Sequence, residues 1–228
     1  MQKSRRLTSD HRHIEMHGGN PMKKVTGICL ILGLGVHVAG AAEIPNIYLH
    51  TGVSRPLAPT EFKDSYRTGV NVGVAAGWQI TTFLECDMHV SYHSTTFDAS
   101  NYRNTLDPET ADEYVIDGGP THLIGAMIRA KLWMPSPERS AMRSYFYAGG
   151  GLAYHSSSDI EVLGPDEQGS QDYVEPGTSG TVPGACGGLG LEYSIETTTL
   201  FLELGVFGAF TEGDATMVLP LKFGVAIK

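Results

Sequence analysis

Beyond residue 42 the 228-residue sequence has no apolar run long enough to form a membrane-crossing helix. A chain of this kind can span a bilayer only as a closed barrel, where strands satisfy one another's backbone groups. Charged residues are scarce, at 18%. Basic residues are scarcer: with six Lys/Arg and two Asp/Glu in residues 1–42, residues 43–228 keep 10 of the 16 bases and 23 of the 25 acids, a net charge of −13. That balance excludes a nucleic-acid binder, which would repel the phosphate backbone. An acidic surface can attract divalent cations or basic partners, and most simply keeps a protein solvated. Cysteine is nearly absent: Cys29 falls in the first 42 residues, so Cys86 and Cys186 allow at most one disulfide.

Glycine, by contrast, is abundant at 28 residues, and aromatic and β-branched residues recur in short runs. This composition suits a glycine-punctuated all-β protein. Near the start, Met22-Lys23-Lys24, the apolar stretch Val25 to Val38 and the small residues Ala39-Gly40-Ala41-Ala42 make the three parts of a secretory signal peptide, expected over 22–42. Residues 1–21 are polar and lack an apolar period; Ser4-Arg5-Arg6-Leu7 is similar to a twin-arginine signal without its apolar continuation. Translation is therefore expected to start at Met22, with 1–21 outside the native protein and the barrel over 43–228. Cys29 lacks a lipoprotein context, so no lipid anchor is expected.

Eight segments alternate with the period of two that places side chains on opposite faces of a strand. Leu219, Leu221, Phe223, Val225 and Ile227 share one face, with Lys222 and Gly224 on the other. Leu200, Leu202, Leu204, Val206 and Phe210 oppose Phe201, Glu203, Gly205 and Phe207. Val70, Val72, Val74 and Trp78 oppose Gly69, Asn71, Gly73 and Gly77; Leu84, Cys86, Met88, Val90 and Tyr92 oppose Glu85, Asp87, His89, Ser91 and His93. Ile124, Ala126, Ile128 and Leu132 alternate with Gly125, Met127, Arg129 and Lys131. Phe146, Ala148, Leu152 and Tyr154 oppose Tyr145, Tyr147, Gly149, Gly151 and His155; Leu189, Leu191 and Tyr193 oppose Cys186, Gly188, Gly190 and Glu192. The shortest segment, Ile47 to Ser54, comes first.

The connections alternate in length. Arg55–Arg67, Ala99–Ile116 and Ser158–Gly177 are long, whereas Gln79–Thr82 and Ser194–Thr198 are tight, and Pro135–Arg143 is intermediate. Short periplasmic turns and long outer loops alternate in this way in outer-membrane barrels. Trp78, Trp133, Tyr145, Phe146 and Tyr193 fall at the turn-side strand ends and Tyr92, Tyr154 and Phe210 nearer the loops, as two interfacial aromatic girdles would.

Alternation alone leaves two solutions. A soluble lipocalin-like barrel buries its apolar face around an apolar ligand; a membrane barrel turns that face outward. Glycine crowds the polar face, where a narrow lumen needs small residues and a solvent face gains nothing. The charges there are few and of both signs. Both features favour an all-β, closed, antiparallel, transmembrane up-and-down barrel of about eight strands. Its lipid-facing residues would be Val70, Val72, Val74, Leu84, Val90, Ile124, Ile128, Leu200, Leu202, Leu204, Leu219, Leu221, Phe223 and Val225. In the lumen Glu85, Asp87, Glu192 and Glu203 would pair with Arg129, Lys131 and Lys222. Cys86 would face lipid and Cys186 the lumen, so no disulfide between them is expected.

Tyr48-Leu49-His50-Thr51-Gly52-Val53-Ser54-Arg55-Pro56-Leu57, then Pro59 to Asp64, then Thr68-Gly69-Val70-Asn71-Val72-Gly73, resembles the opening of the outer-membrane β-barrel domain family, the small OmpA- and OmpX-like barrels. The resemblance covers Ile44 to Lys228, with only its opening motif-like. It implies a place in the bacterial outer membrane, insertion by the barrel-assembly machinery, contact with outer-membrane lipid and lipopolysaccharide, and an outer loop with a short helical turn around Phe62. Where such barrels usually end in an aromatic residue, this chain reads Ala226-Ile227-Lys228. With no peptidoglycan-binding domain following, a wall-tethering role is not expected.

An eight-stranded barrel has a lumen just wide enough to be filled by side chains, so a monomer with a structural or surface-interaction role is expected rather than a general pore. A gated proton or ion path is the functional alternative for the lumen charges. His50, His89, His93, His122 and His155 read as isolated polar-face histidines: His89 and His93 lie ~13 Å apart along a strand, and His50 two strands away, so no metal or other cofactor is expected. His155-Ser156-Ser157-Ser158-Asp159 has a His-x-Ser spacing similar to lipid A deacylases, which keeps a lipid-modifying enzyme as an alternative, although a polar strand end explains it equally. Asp107, Glu109, Asp112, Glu113, Asp117 and Asp159, Glu161, Asp166, Glu167, Asp172, Glu175 make two outer loops acidic without a calcium-loop spacing, and they read as solvated, mobile loops.

Overall fold

The computed structural model describes residues 44–104, 114–137, 140–164, 173–196, 198–211 and 214–227. The expected signal peptide and the segment before it lie outside the described residues. The elements in chain order are β1 (Asn46–Ala58), α1 (Thr60–Ser65), β2 (Tyr66–Thr81), β3 (Leu84–Phe97), α2 (Ala99–Arg103), β4 (Val115–Gly118), β5 (Thr121–Trp133), β6 (Met142–Ser157), β7 (Ile160–Leu163), β8 (Tyr173–Glu175), β9 (Ser179–Ile195), β10 (Thr198–Phe210) and β11 (Ala215–Ile227).

Eight strands form a closed antiparallel barrel in the order β1-β11-β10-β9-β6-β5-β3-β2. Each pairs with the next barrel strand along the chain, and β1 closes the ring against β11, from Ile47 opposite Ile227 to Ala58 opposite Met217. Closure leaves the barrel no edge strand. The strands are 13 to 17 residues long, more than the roughly ten a tilted membrane crossing needs, so they project beyond such a span.

The eight strands and the alternation of their connections are those expected; the boundaries differ in ways that have physical reasons. The first strand is not short. Arg55–Ala58, expected in a loop, continues β1 on the β11 side after its pairing with β2 has ended at Ser54 opposite Gly69. Pro56, which lacks an N–H, sits where one side of the strand needs no partner. The Phe62 segment is helical as expected: α1 buries Phe62 against Tyr66.

Two long connections are not the featureless loops expected. Within the third and fifth connections, β4, β7 and β8 form a separate three-stranded sheet, order β4-β7-β8. It buries Ile116, Ile160 and Val162 against Phe97, Ala99, Tyr102 and Tyr114. Strands of three or four residues are too short for a period of two to stand out, which is why the sequence reads as loop there. Ahead of β4, α2 is capped by Asp98, whose carboxylate accepts from the amides of Ser100 (3.1 Å) and Asn101 (3.2 Å).

Candidate functional site

The lumen is the site. Along most of the barrel wall buried residues alternate with more accessible ones, and the buried set is the polar, glycine-rich face together with an apolar layer toward the loops. The apolar set lies outside: Val70 is 60% exposed, Ile128 66% and Phe223 58%, alongside exposed Val72, Val74, Ile124, Leu200, Leu202, Leu204 and Leu221. Leu84, Val90, Leu219 and Val225 share that outward face, half-buried by their neighbours. The lipocalin-like arrangement, with the apolar face inward, is thus the reverse of what is found. An apolar surface this continuous is far larger than the few hundred Å2 that soluble monomers expose.

The charged residues come together in the turn-side half of the lumen. Arg129 forms two parallel hydrogen bonds to Asp87 (Nε–Oδ1 2.8 Å, Nη2–Oδ2 2.9 Å) and a third to Glu203 (Nη1–Oε2 3.0 Å). Lys131 Nζ lies 3.0 Å from Glu85 Oε1 and 3.3 Å from Asp87 Oδ2. Lys222 Nζ lies 3.5 Å from Glu203 Oε2. Six of the seven expected residues therefore make one connected chain of ion pairs; all seven are buried, and Glu192 stands opposite Arg143 in the β6–β9 register. Bidentate and charge-assisted bonds of this kind are the strong ones, and they must offset a large desolvation cost.

Three lumen tyrosines complete the network, and sequence reasoning gave them no role there. Tyr48 donates its hydroxyl to Glu85 (2.8 Å) and Tyr145 to Glu203 (2.9 Å). Lys131 Nζ sits 3.4 Å from the centre of the Tyr48 ring, and Arg129 lies over Tyr147. Their polar-face parity, shared with the carboxylates, was the available signal. Space comes from glycines on neighbouring strands. A Cβ on Gly190 would fall on the Tyr145 ring, and one on Gly205 on the Tyr147 hydroxyl.

Two girdle assignments need correction. Trp133 is 6% exposed and points into the lumen, 4.7 Å from the Tyr145 ring and beneath the Arg143 guanidinium. It follows Leu132 by one residue, so it takes the inward parity of Lys131; position at a strand end does not override the pleat. Tyr145 is likewise fully buried and not at the interface. The other girdle residues do face outward: Phe146, Tyr193 and Phe210 are exposed, and Trp78, Tyr92 and Tyr154 half-buried.

The histidines are not isolated, a second correction. His50 Nε2 and His89 Nε2 are 3.0 Å apart with stacked rings, although β1 and β3 are separated by β2. Gly73 of β2 lies between them: a Cβ there would meet His50 Nε2. With no side chain on the intervening strand, two strands away becomes contact distance. His93 bonds Ser54 (2.8 Å) and Ser91 (3.1 Å) and stacks on Phe207, while Asn71 donates to Ser54 Oγ (3.0 Å). His122 lies on the outward face, its Nδ1 2.8 Å from the Tyr92 hydroxyl. Among the described residues no three His, Cys, Asp or Glu are grouped to hold a metal ion. Beyond this layer, toward the loops, the lumen turns apolar: Leu123, Met127, Phe207 and Val218 pack together, and Phe62 and Tyr66 cover them.

Elsewhere the structure separates what the sequence juxtaposed. Ser157 Oγ contacts Thr178 (3.3 Å to Oγ1), not His155, whose ring lies near Gly180. Cys86 and Cys186 are unbonded, with Cys186 against the buried lumen clusters. Of the loop acids, Asp117, Glu161 and Glu175 sit on the three-stranded sheet and Asp159 accepts from the Gly177 amide (2.7 Å); Asp107, Glu109, Asp112, Glu113, Asp166, Glu167 and Asp172 lie outside the described residues. At the loop rim Arg67 binds Asp98 (2.9 Å between Nη2 and Oδ1), and this bond holds the Asp98 carboxyl below its ordinary range.

No family model matches the sequence, and no curated protein matches it. Solved structures do. Neisserial surface protein A (NspA) superposes with a TM-score of 0.51 at 14% identity, covering 83% of this chain and 99% of that one. A major outer membrane protein from Thermus thermophilus gives 0.49 at 14% identity, covering 81% and 99%. Ail, the attachment invasion locus protein of Yersinia pestis, gives 0.42 at 11%, covering 81% and 100%. The likeness to NspA shows the fold: that of the small eight-stranded outer-membrane barrels, as the resemblance of the opening residues implied.

Proposed function

We propose that this chain is a bacterial outer-membrane barrel with a filled interior, serving a structural or surface-interaction role rather than acting as a pore or an enzyme. The observation that carries the reading is the pairing of a continuous apolar exterior with a lumen closed twice. One closure is the ion-pair network around Arg129 and the other is the apolar layer around Phe207. Lipid is the environment in which such an exterior is stable and in which only a closed barrel satisfies the backbone. A plugged lumen leaves the rim and the loop-end sheet as the parts available to partners. The partners that fit are outer-membrane lipid and lipopolysaccharide around the wall and the barrel-assembly machinery during insertion; closure without an edge suits a monomer.

The test is where the mature protein goes and what it conducts. It is expected in the outer-membrane fraction, with heat-modifiable gel migration, and to give no steady conductance in planar bilayers. Recovery as a freely soluble periplasmic protein would overturn the membrane reading; a stable open channel would overturn the plug.

A further inference from the structure

The wall of the barrel is split between β1 and β2. Above Ser54 and Gly69, β1 stays paired with β11 and β2 with β3, but β1 and β2 no longer pair with each other. An open groove of about 810 Å3 occupies this split at the loop-side rim. Pro56 and Tyr66 line it from the two strands, Asn101 from α2 and Asn104 from the residue that caps its end. Its charged lining is Arg55, Lys63 and Arg67 against a single acid, Asp64. In a unit with a net charge of −13, three of only ten Lys/Arg thus converge on one groove, while three others are buried in the lumen. Arg55 and Lys63 are exposed and have no ion-pair partner among the described residues; Arg67 is 63% exposed despite its bond to Asp98.

The groove sits at the upper end of an apolar strip. Val53 opposes Val70, and below them Leu49 opposes Val74, all outward and exposed. Cationic side chains above an apolar wall match an amphiphile whose acidic head is joined to acyl chains. Resting on the membrane reading above, we propose that this split binds the phosphate of a phosphorylated outer-leaflet lipid. Arg55 and Lys63 supply the free cations, Arg67 is held in place by Asp98, and the acyl chains lie along Val53 and Val70. Guanidinium and ammonium donors converging from two sides suit the tetrahedral oxygens of a phosphate, and Asp64 disfavours more than one such group.

The test uses the refolded full barrel in neutral-lipid vesicles or micelles, with diphosphorylated lipid A as the probe and native mass spectrometry or competition with a labelled lipid as the readout. Wild type is expected to bind the phosphorylated lipid at least about tenfold more tightly than its dephosphorylated form, a difference of ~1.4 kcal/mol. Arg55→Gln/Lys63→Gln should lose that preference, and Arg143→Gln, which removes a charge at the opposite rim, should keep it. Equal binding of the two lipids by wild type, or an unchanged preference in the double variant, overturns the site. Displacement by inorganic phosphate at concentrations equal to the lipid's would mark a free-anion site and overturn the lipid assignment. The wild-type comparison needs no variant to fold. A protein that never inserts into the vesicles defeats the membrane reading, whereas one that inserts without discriminating defeats only the groove.

Discussion

The two halves of the lumen, divided at His50 and His89, sit inside the same apolar skin and are filled by opposite chemistry. The turn-side half holds Glu85, Asp87, Arg129, Lys131, Glu203 and Lys222 with Tyr48 and Tyr145 as donors. The loop-side half holds Leu123, Met127, Phe207 and Val218, beside an uncharged hydrogen-bonded set of His93, Ser54 and Asn71. Both fill the space, but they depend on their members differently. An apolar layer loses contacts in proportion to the atoms removed. An ion-pair network left incomplete keeps a buried charge without a partner, and the loss falls on every residue that shared it.

Removing Arg129 should therefore have the largest effect. Arg129→Met takes the bidentate partner from Asp87 and one partner from Glu203, leaving three carboxylates to two lysines, and it is expected to cost about 4 kcal/mol. Urea midpoints read by heat-modifiable migration in vesicles would measure it. Adding Asp87→Asn, which leaves Glu85 paired with Lys131 and Glu203 with Lys222, should recover most of the loss; failure to recover any would mean that the network is not what holds this half. In the other half, Leu123→Ala should cost about 3 kcal/mol by opening a cavity, and its effect should add to that of a distant lumen variant, because no shared partner couples them.

Glycines separate the halves again, at roughly 2 kcal/mol for each overpacking change. A Cβ on Gly125 would meet only side chains, the Phe207 ring at 2.5 Å foremost. Gly125→Ala should then be relieved by Phe207→Leu, which makes room without breaking a polar contact. A Cβ on Gly190 would fall on the Tyr145 ring, whose hydroxyl serves Glu203. Tyr145→Leu beside Gly190→Ala clears the overlap but removes that donor, so the turn-side pair should stay destabilised in the same unfolding measurement. Equal relief in both pairs would erase the distinction between the halves.

Much of this was legible in the sequence, because a barrel wall repeats every two residues and one slip exchanges its faces. The parity that put Arg129 and Lys131 inside also puts Trp133 inside; reading Trp133 from its position at a strand end lost what the alternation already contained. The contact of His50 with His89 was not legible from separation along the sheet, since it depends on Gly73 opening the path across an intervening strand. The sheet of β4, β7 and β8 was hidden for another reason. Its pairing, Val115 opposite Leu163, joins segments far apart in the chain that are each too short to show a period. The split between β1 and β2 was hidden by the same long-range dependence, because it exists only where β1 follows β11 and β2 follows β3.

The smallest expected effect lies outside both halves, at the rim, and it tests whether a charge contact there behaves like those in the lumen. Asp98 caps α2 and binds Arg67, and the hydrogen bond from Arg67, ahead of the backbone amides, keeps its carboxyl below the ordinary value of 3.8. A depressed folded-state value means that the contribution is complete above the unfolded value and is lost as pH falls through the folded one. Amide exchange at Ser100 and Asn101 should accordingly rise only below about pH 4, while the barrel still migrates as folded. Asp98→Asn, which keeps a capping oxygen but has no charge to titrate, should show faster exchange at neutral pH and no acid step. Because Arg67 is exposed, salt should weaken the contact, whereas the buried pairs of Arg129 should respond little. An acid step in the Asn variant, or a salt response equal at the two places, would mean that burial does not divide them.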